Sequence, residues 1–333
     1  MPSSADPVFL SVVIPCHNEA SSIMACVESV ARAVGWTHAE ILVVDGMSKD
    51  GSRDIIANMM LNNENLRLID NPSTITPVGL NLGIRASRGT LVAVLSAHST
   101  VAPNYFKALV GTLDRFREAG CAGGILIPHP RTHGFQAVAG QVLSSRFGVG
   151  DSSFRTGVDE PVTADTAAYA VYRASVFDEV GLFDERLVRN QDIELSHRIT
   201  RAGYVIVVDP NAVAYYVPRA TLRSFCRQAF DNGMWNVVTQ RLVPGSLSFR
   251  HFVPMAATLG GLLLLMLSSV MTGAGALLLV LSGAYAGIAV TAALQTSWKE
   301  RTLRYLGCAL LFPCLHVSYG LGSIVGLLRL LVR

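Results

Sequence analysis

Two stretches near the C-terminus, Phe252 to Met271 and Ala274 to Leu294, carry no ionisable side chain other than Tyr285. Each is long enough to cross a hydrocarbon core of about 30 Å at about 1.5 Å per residue. The Thr272-Gly273 turn between them leaves room only for an antiparallel hairpin. Their apolar character runs all round rather than along one stripe, which argues against helices in the core of a soluble domain. A further segment from Leu303, broken by Pro313, predicts a third, tilted or kinked helix ending near Leu328, with Arg329 and Arg333 reaching for the interface. Basic residues at Arg241, Arg250, Lys299, Arg301 and Arg304 predict that the loop at 295–304 and everything before the first span lie in the cytoplasm. The expected location is therefore the inner (cytoplasmic) membrane, with several passes. Three spans would put the C-terminus outside, and Arg329 and Arg333 weigh slightly against that. Three helices without buried charge offer no transport pathway.

The rest of the chain reads differently. Only 15% of the 333 residues are charged, against about 25% in an ordinary soluble protein, and the shortage is sharpest in the tail, which is nearly free of charge from about Phe252 onward. A net charge of +3 is too small to argue for nucleic acid as a partner. The six cysteines show no metal-ligand spacing, which suits a reduced, cytosol-facing part. Met1 to Pro7 lacks the charged start and apolar core of a cleavable signal.

Strand and helix signals alternate from the start. Phe9 to Pro15 is an apolar run closed by proline, Ser21 to Val34 has helical spacing, and Ile41 to Gly46 is a second strand ending in an acid and a glycine. A helix at Arg53 to Met60, a strand at Leu66 to Ile69, a helix at Thr76 to Ala86 and a strand at Thr90 to Leu95 follow. The order predicts an α/β fold, an open and mostly parallel sheet flanked by helices. Ligands bind beyond the carboxyl ends of such strands, where Asn18, Glu19, Asp45, Ser96 and His98 fall. No Gly-x-Gly-x-x-Gly or Walker loop is present, so dinucleotide and P-loop readings fail.

Pro15-Cys16-His17-Asn18-Glu19, then Val43-Val44-Asp45-Gly46-Met47-Ser48-Lys49-Asp50-Gly51-Ser52, then Leu80-Asn81-Leu82-Gly83-Ile84, together resemble the opening of the family 2 glycosyltransferases. The nearest branch is the succinoglycan-biosynthesis type of membrane enzyme, which extends lipid-linked sugars. The resemblance implies a GT-A-like mixed sheet followed by a transmembrane helical region. It also implies that Pro15, Asn18, Glu19 and Asp45 line a nucleotide-sugar pocket. The family's acid-x-acid motif after the fourth strand is altered here to Ser96-Ala97-His98. Ser96 keeps a hydrogen bond to ribose without charge, and His98 becomes the expected ligand of a divalent cation, Mg2+ or Mn2+, that bridges two phosphates.

Further along, Cys121 to Ile125 predicts another strand, and Phe147 to Gly157, rich in Gly and Ser, predicts a mobile loop over the site. His129 and His133 lack a second cluster and read as loop residues. Asp165-Thr166 resembles the segment that forms the floor of the acceptor side, with Ala170 where the family tends to have Gly. The family's Glu-Asp motif appears as Gln191-Asp192, followed by Glu194, at a loop-to-helix junction that ends with Gly203. An acid in the first turn of a helix is favoured by the dipole and stays ionised, as a general base requires. Asp192 is the expected base; Gln191, Glu194 and Asp165 are grouped with it on the acceptor and donor side.

Arg219, Arg223 and Arg227 recur every four residues, a basic amphipathic pattern suited to an anionic membrane surface. Arg227 and Trp235 also resemble a family element that supports the leaving diphosphate. The chain thus divides into a catalytic domain over 1–218, interfacial helices over 219–250 and a transmembrane region over 251–333. The expected reaction is an inverting transfer from a nucleotide sugar, with a UDP-sugar the leading expectation, to a lipid-linked saccharide or growing polysaccharide at the membrane. Alternatives are direct transfer to a polyprenyl phosphate, or a catalytically weak membrane-anchored scaffold that kept the fold, for which Ser96 is the best support.

Overall fold

The protein is represented by a computed structural model that describes residues 9–35 and 38–331. Met1 to Pro7 and Arg333 lie outside the described residues. Two compact units emerge: a sheet unit of Met1–Ile127 with Gly157–Tyr216, and a helical unit of Pro128–Thr156 with Val217–Arg333. The segment 128–156 leaves the sheet unit in mid-sequence and is counted with the membrane helices.

In the sheet unit the chain runs β1 (Leu10–Cys16), α1 (Ile23–Val34), β2 (Ala39–Asp45), α2 (Ser52–Met60), β3 (Leu66–Asp70), α3 (Thr76–Ala86), β4 (Leu91–Val94), β5 (Ser99–Val101), α4 (Tyr105–Arg115) and β6 (Ala119–Pro128). Helices α5 (Gly134–Leu143), α6 (Arg146–Val149) and α7 (Ser153–Thr156) follow in the helical unit. The chain then returns as β7 (Val162–Thr163), β8 (Val171–Arg173), α8 (Ala174–Val180), α9 (Gln191–Arg201) and β9 (Val205–Tyr216). The sheet order is β3-β2-β1-β4-β8-β6-β9-β5, with β7 also on β9. Strands β1 to β4 are parallel where they pair. β8 then runs antiparallel between β4 and β6. The continuous apolar runs of β1 and β2, buried along nearly their whole length, suit strands covered on both faces.

Polar side chains pin the amino ends of these strands. Glu40 lies opposite Ser11 in the β1/β2 register and accepts from its hydroxyl at 2.7 Å. Arg67 and Arg88 complete the cluster, each 3.0 Å from the same carboxylate, which has no solvent exposure. Burial works against the Glu40 charge, but these donors outweigh it and hold the carboxyl below its usual range.

The helical unit continues with α10 (Leu222–Leu242), α11 (Val253–Leu267), α12 (Thr272–Lys299) and α13 (Cys308–Leu331). A capping box between Thr221 and Ser224 starts α10. The three stretches Phe249–Leu267, Thr272–Lys299 and Leu303–Leu331 are long and apolar enough to cross a membrane. Pro313 sits inside α13, as the sequence predicts. Helices α10 and α13 approach backbone to backbone: a Cβ on Gly322 would collide with the Phe230 carbonyl, and one on Gly233 with that of Tyr319.

One expectation is corrected here. Residues 147–157 do not form a loop; they are largely taken up by α6 and α7. Phe147 packs its ring on Tyr285, Phe312 and His316 at centroid distances of 5.5, 4.8 and 5.4 Å, an aromatic anchor that Gly and Ser neighbours disguise in the sequence.

Candidate active site

The strand order reverses between β1 and β4, since β2 and β3 lie on one side of β1 and β4 on the other. A crevice outside the carboxyl ends is the usual ligand site at such a switch point. The β1 and β2 loops there are stitched together. The backbone N–H of Asn18 donates to Ser48 Oγ at 2.8 Å, that of Glu19 to Ser52 Oγ at 2.8 Å, and that of Ala20 to Asp50 Oδ2 at 2.9 Å. Lys49 N–H returns a bond to Asn18 Oδ1 at 2.9 Å. Both loops turn through left-handed residues, Asn18 at φ 55° and Met47 at φ 60°. Such backbone persists only where surrounding bonds over-determine it. Pro15 sits beside this turn at the end of β1, in register with Val44.

Asp45 is fully buried. Its carboxylate accepts from Ser48 Oγ at 2.5 Å and Ser48 N–H at 3.0 Å, and from Arg53 at 2.8 Å. Arg53 also reaches Asp70 at 2.8 Å, so it bridges the ends of β2 and β3. Asp45 therefore organises the loop and the Arg53 guanidinium at the end of β2, with its carboxylate closed off from solvent.

Across the switch point, the His98 ring lies 3.1 Å from Glu19 Oε1 and 3.1 Å from Ser96 Oγ. Ser22 donates to the other Glu19 oxygen at 2.7 Å. Burial raises the cost of the Glu19 charge, but the bonds from His98 and Ser22 outweigh it and keep the carboxyl ionised below its usual range. Asn18, Glu19, Ser96 and His98 thus come together. Among the described residues no three His, Cys, Asp or Glu side chains form a cage for a metal. The donors present are one carboxylate and one imidazole. That pair fits a divalent ion whose other positions are filled by phosphate oxygens and water.

Asp192 stands in the first turn of α9, with Glu194 behind it. Asn190 caps the helix in the left-handed conformation, φ 62°. This suits Asn, whose short polar side chain tolerates αL. Asp192 Oδ1 accepts from the N–H of Ile193 at 3.0 Å. Its charge helps to raise the pKa of Tyr172 on β8 well above the usual value, behind burial and Cys121 as causes. Gln191 is partly exposed beside it. Glu194 is only 3% exposed; both its oxygens pair with Arg198 at 2.7 Å. Arg198 also donates to the carbonyls of Val180 and Leu182, so the Glu194–Arg198 pair anchors α9 to the preceding loop.

A second clamp comes from far away in sequence. Asn81 on α3 is 3% exposed. Its Nδ2 donates to the Phe183 carbonyl and to Glu185 Oε1, both at 2.9 Å, and its Oδ1 accepts from the Phe183 N–H at 3.0 Å. The loop that delivers Asp192 is thus held from both sides. Asp165 is exposed just before the buried Thr166, which accepts from Ser196 of α9 at 3.2 Å. The Asp165 segment therefore runs against the helix that carries Asp192. Tyr169, left-handed at φ 49°, is fixed by Tyr105, whose hydroxyl donates to its carbonyl at 2.8 Å.

Arg227 and Trp235 belong to the helical unit, on α10. Arg227 is highly exposed, with Asp231 one turn away at 4.0 Å. The sequence reading missed Arg53, Asn81, Ser196 and Arg198 as supports of the site. The polar turn Ser48 to Ser52 hinted at the first, the Leu80-Asn81-Leu82-Gly83-Ile84 motif at the second, and the four-residue spacing from Glu194 at Arg198; Ser196 has no local signal. A cavity of about 550 Å³, lined by Asn104, Lys107, Arg115 and Asp209 among others, lies along α4 and not at these strand ends. It is an open surface groove.

The mixed, mostly parallel sheet flanked by helices is a GT-A-like glycosyltransferase fold. The comparisons agree. The model of glycosyl transferase family 2 matches residues 11–181, and the chain belongs to that family. It is 31% identical over 257 residues to succinoglycan biosynthesis protein ExoA of Rhizobium meliloti (strain 1021), 74% of each chain. A dolichyl N-acetyl-alpha-D-glucosaminyl phosphate 3-beta-D-2,3-diacetamido-2,3-dideoxy-beta-D-glucuronosyltransferase of Methanococcus voltae is 25% identical over 330 residues, covering 96% of this chain and 98% of that one. Among solved structures, the mannosyltransferase PcManGT of Pyrobaculum calidifontis, in complex with GDP-Man and Mn2+, superposes with a TM-score of 0.64 at 15% identity over 93% of this chain and 89% of that one. At that identity the likeness shows the fold.

Proposed function

We propose that the protein is an inverting, membrane-bound glycosyltransferase that moves a sugar from a nucleotide-sugar donor to a hydroxyl of a lipid-linked saccharide. The sheet unit works on the cytoplasmic side of the inner membrane. One observation carries the reading: α9 presents Asp192 in its first turn on a loop fixed by both Asn81 and Arg198. Rigid delivery of one carboxylate is what a general base needs. The Methanococcus voltae relative, named for a dolichyl phosphate sugar, supports a lipid-linked acceptor.

In the proposed step Asp192 takes the proton of the acceptor hydroxyl as its oxygen attacks the anomeric carbon. The bond from that carbon to the diphosphate breaks on the opposite face, and a nucleoside diphosphate leaves. A single displacement inverts the configuration and requires no second carboxylate as nucleophile. Asn18 and Glu19, with the Arg53-braced loop at Asp45, hold the nucleotide; Ser96 offers a neutral hydrogen bond to ribose. Glu19 and His98 would hold a divalent ion, Mg2+ or Mn2+, which supplies positive charge at the leaving diphosphate when bound. Arg227 and Trp235 are proposed to support the same group, and Asp165 and Gln191 to line the acceptor side.

The test is Asp192→Asn, assayed with UDP- and GDP-sugars and a lipid-linked saccharide acceptor. Transfer should fall by about 10²–10⁴-fold while donor binding by calorimetry is unchanged. Full transfer by the variant would remove Asp192 as base. It would favour a polyprenyl phosphate acceptor, which is already an anion.

A further inference from the structure

Charge and packing in the helical unit bear on how this chain meets the bilayer. The unit carries 13 Lys and Arg against 3 Asp and Glu, a net of +10, while the sheet unit carries 14 against 21, a net of −7. The three apolar stretches are also unlike one another. None of the most apolar window of Phe249–Leu267 and 11% of that of Thr272–Lys299 is buried in protein, against 39% for Leu303–Leu331. The first two are almost wholly uncovered by protein; the third is covered over part of its length.

The neighbours of α13 decide the matter. Its first half shares a buried cluster with Val138 and Val142 of α5, Phe225 of α10, and Ala289 and Ala293 of α12. Its second half lies along α10, and at Gly320 it crosses the first turns of α11, against the Pro254 carbonyl and Thr258. Gly322 meets the Phe230 carbonyl, Gly326 the Met234 carbonyl, and Ser323 donates to the Gly233 carbonyl at 3.1 Å. Arg329 reaches Met234 Sδ at 3.2 Å. Yet α10 carries Arg223, Arg227, Asp231 and Arg241, and Arg219, Arg223 and Arg227 are exposed. A helix with that load does not enter hydrocarbon, and α13 cannot part from it without opening backbone-to-backbone contacts.

The length of α12 points the same way. Its 28 residues extend about 42 Å at 1.5 Å per residue, beyond the roughly 30 Å of a hydrocarbon core. From mid-helix on, its buried residues are Ala289, Ala293 and Ser297. The protein-covered face of α12 thus runs from Tyr285, which bonds His316 of α13 at 2.7 Å, to Ser297 beside Lys299. At that end Trp298 and Leu303 are exposed beside Lys299, Arg301 and Arg304, a mixture suited to the headgroup region.

We infer that the chain crosses the bilayer twice, through α11 and α12, and that α13 lies with α10 in the headgroup layer. There the exposed arginines of 219–227 meet anionic phospholipid, and the C-terminus stays on the side of the sheet unit. The inference rests on the proposed cytoplasmic placement of the sheet unit.

Reporter fusions to the full chain test it. Green fluorescent protein at the C-terminus should fluoresce and alkaline phosphatase there should be inactive, while phosphatase inserted at Thr272-Gly273 should be active. An active phosphatase at the C-terminus, with a dark fluorescent fusion, overturns the two-span arrangement and restores a third span. A phosphatase inactive at both positions overturns the hairpin itself, and with it the membrane placement. For the headgroup contact, the purified full chain is melted in nanodiscs of phosphatidylcholine with and without phosphatidylglycerol. Wild type should melt several degrees higher with the anionic lipid, and the Arg219→Gln, Arg223→Gln, Arg227→Gln triple variant should lose that gain. Equal melting of wild type in both discs overturns the anionic-lipid contact.

Discussion

The two units of this protein hold themselves together by different means. In the sheet unit the functional loops are fixed by polar side chains: Ser48 and Ser52 stitch two turns, Asn81 grips the loop before Asp192, and Arg198 ties α9 back to it. In the helical unit α10 and α13 are joined largely by the absence of side chains, with glycines admitting the opposite backbone. Hydrogen bonds give direction, as positioning a catalytic group requires. Close backbone packing gives contact area without polar cost, which suits helices beside lipid. The charge follows the same division. If, as proposed, the acidic sheet unit handles an anionic donor, it must draw positive charge from a few placed groups or an ion; the basic unit carries the helices long and apolar enough to cross a membrane.

Three substitutions sharpen this contrast. The largest effect is expected from Gly322→Leu. With the Phe230 carbonyl where the new Cβ must go, overpacking costs about 3 kcal/mol or more. The variant should give little monodisperse protein by size-exclusion chromatography in detergent; normal yield and melting would show that the α10/α13 contact is not tight. Next comes Asn81→Ala, which strands the N–H and carbonyl of Phe183. Each unsatisfied group costs about 1–3 kcal/mol. Transfer kcat should fall roughly tenfold with donor KM unchanged, because the loop it frees leads to the proposed base and not to the nucleotide turn. A loss in Tm alone, with kcat per folded site intact, would make Asn81 merely structural.

The smallest effect concerns pH, at the strand ends away from the site. The Glu40 carboxyl is held below its usual range by Ser11, Arg67 and Arg88. A depressed carboxyl contributes stability that is present above the unfolded pKa of about 4.3 and is lost as pH falls through the folded value. Wild-type Tm should therefore drop more steeply than that of Glu40→Gln below about pH 4, with the variant the less stable at neutral pH. Parallel Tm curves would show that Glu40 gains nothing from its partners.

Much of the sheet was readable in the chain because strands buried on both faces must be continuously apolar. The third helix is Thr76–Ala86, as its Pro and spacing predict, and α9 begins at Gln191. The placement of Asn18, Glu19, Ser96 and His98 around one crevice also followed from their positions at strand ends. The antiparallel insertion of β8 between β4 and β6 was not readable, since pairing partners leave no mark on a short strand such as Val171–Arg173.

By itself, then, the sequence determined which segments bury and in what periodicity: the alternating strands and helices, the acid at a helix start, and the two charge-free spans. Hydrophobic patterning is local, so it survives in one dimension. Tertiary structure alone decided that Asn81 reaches Phe183 across more than a hundred residues, that Glu194 turns inward to Arg198, and that 128–156 joins the helical core. It also decided that an apolar segment, Leu303–Leu331, is partly covered by protein, with 39% of its most apolar window buried. Hydropathy records what a helix wishes to avoid, whereas its neighbours settle whether lipid or another helix does the covering.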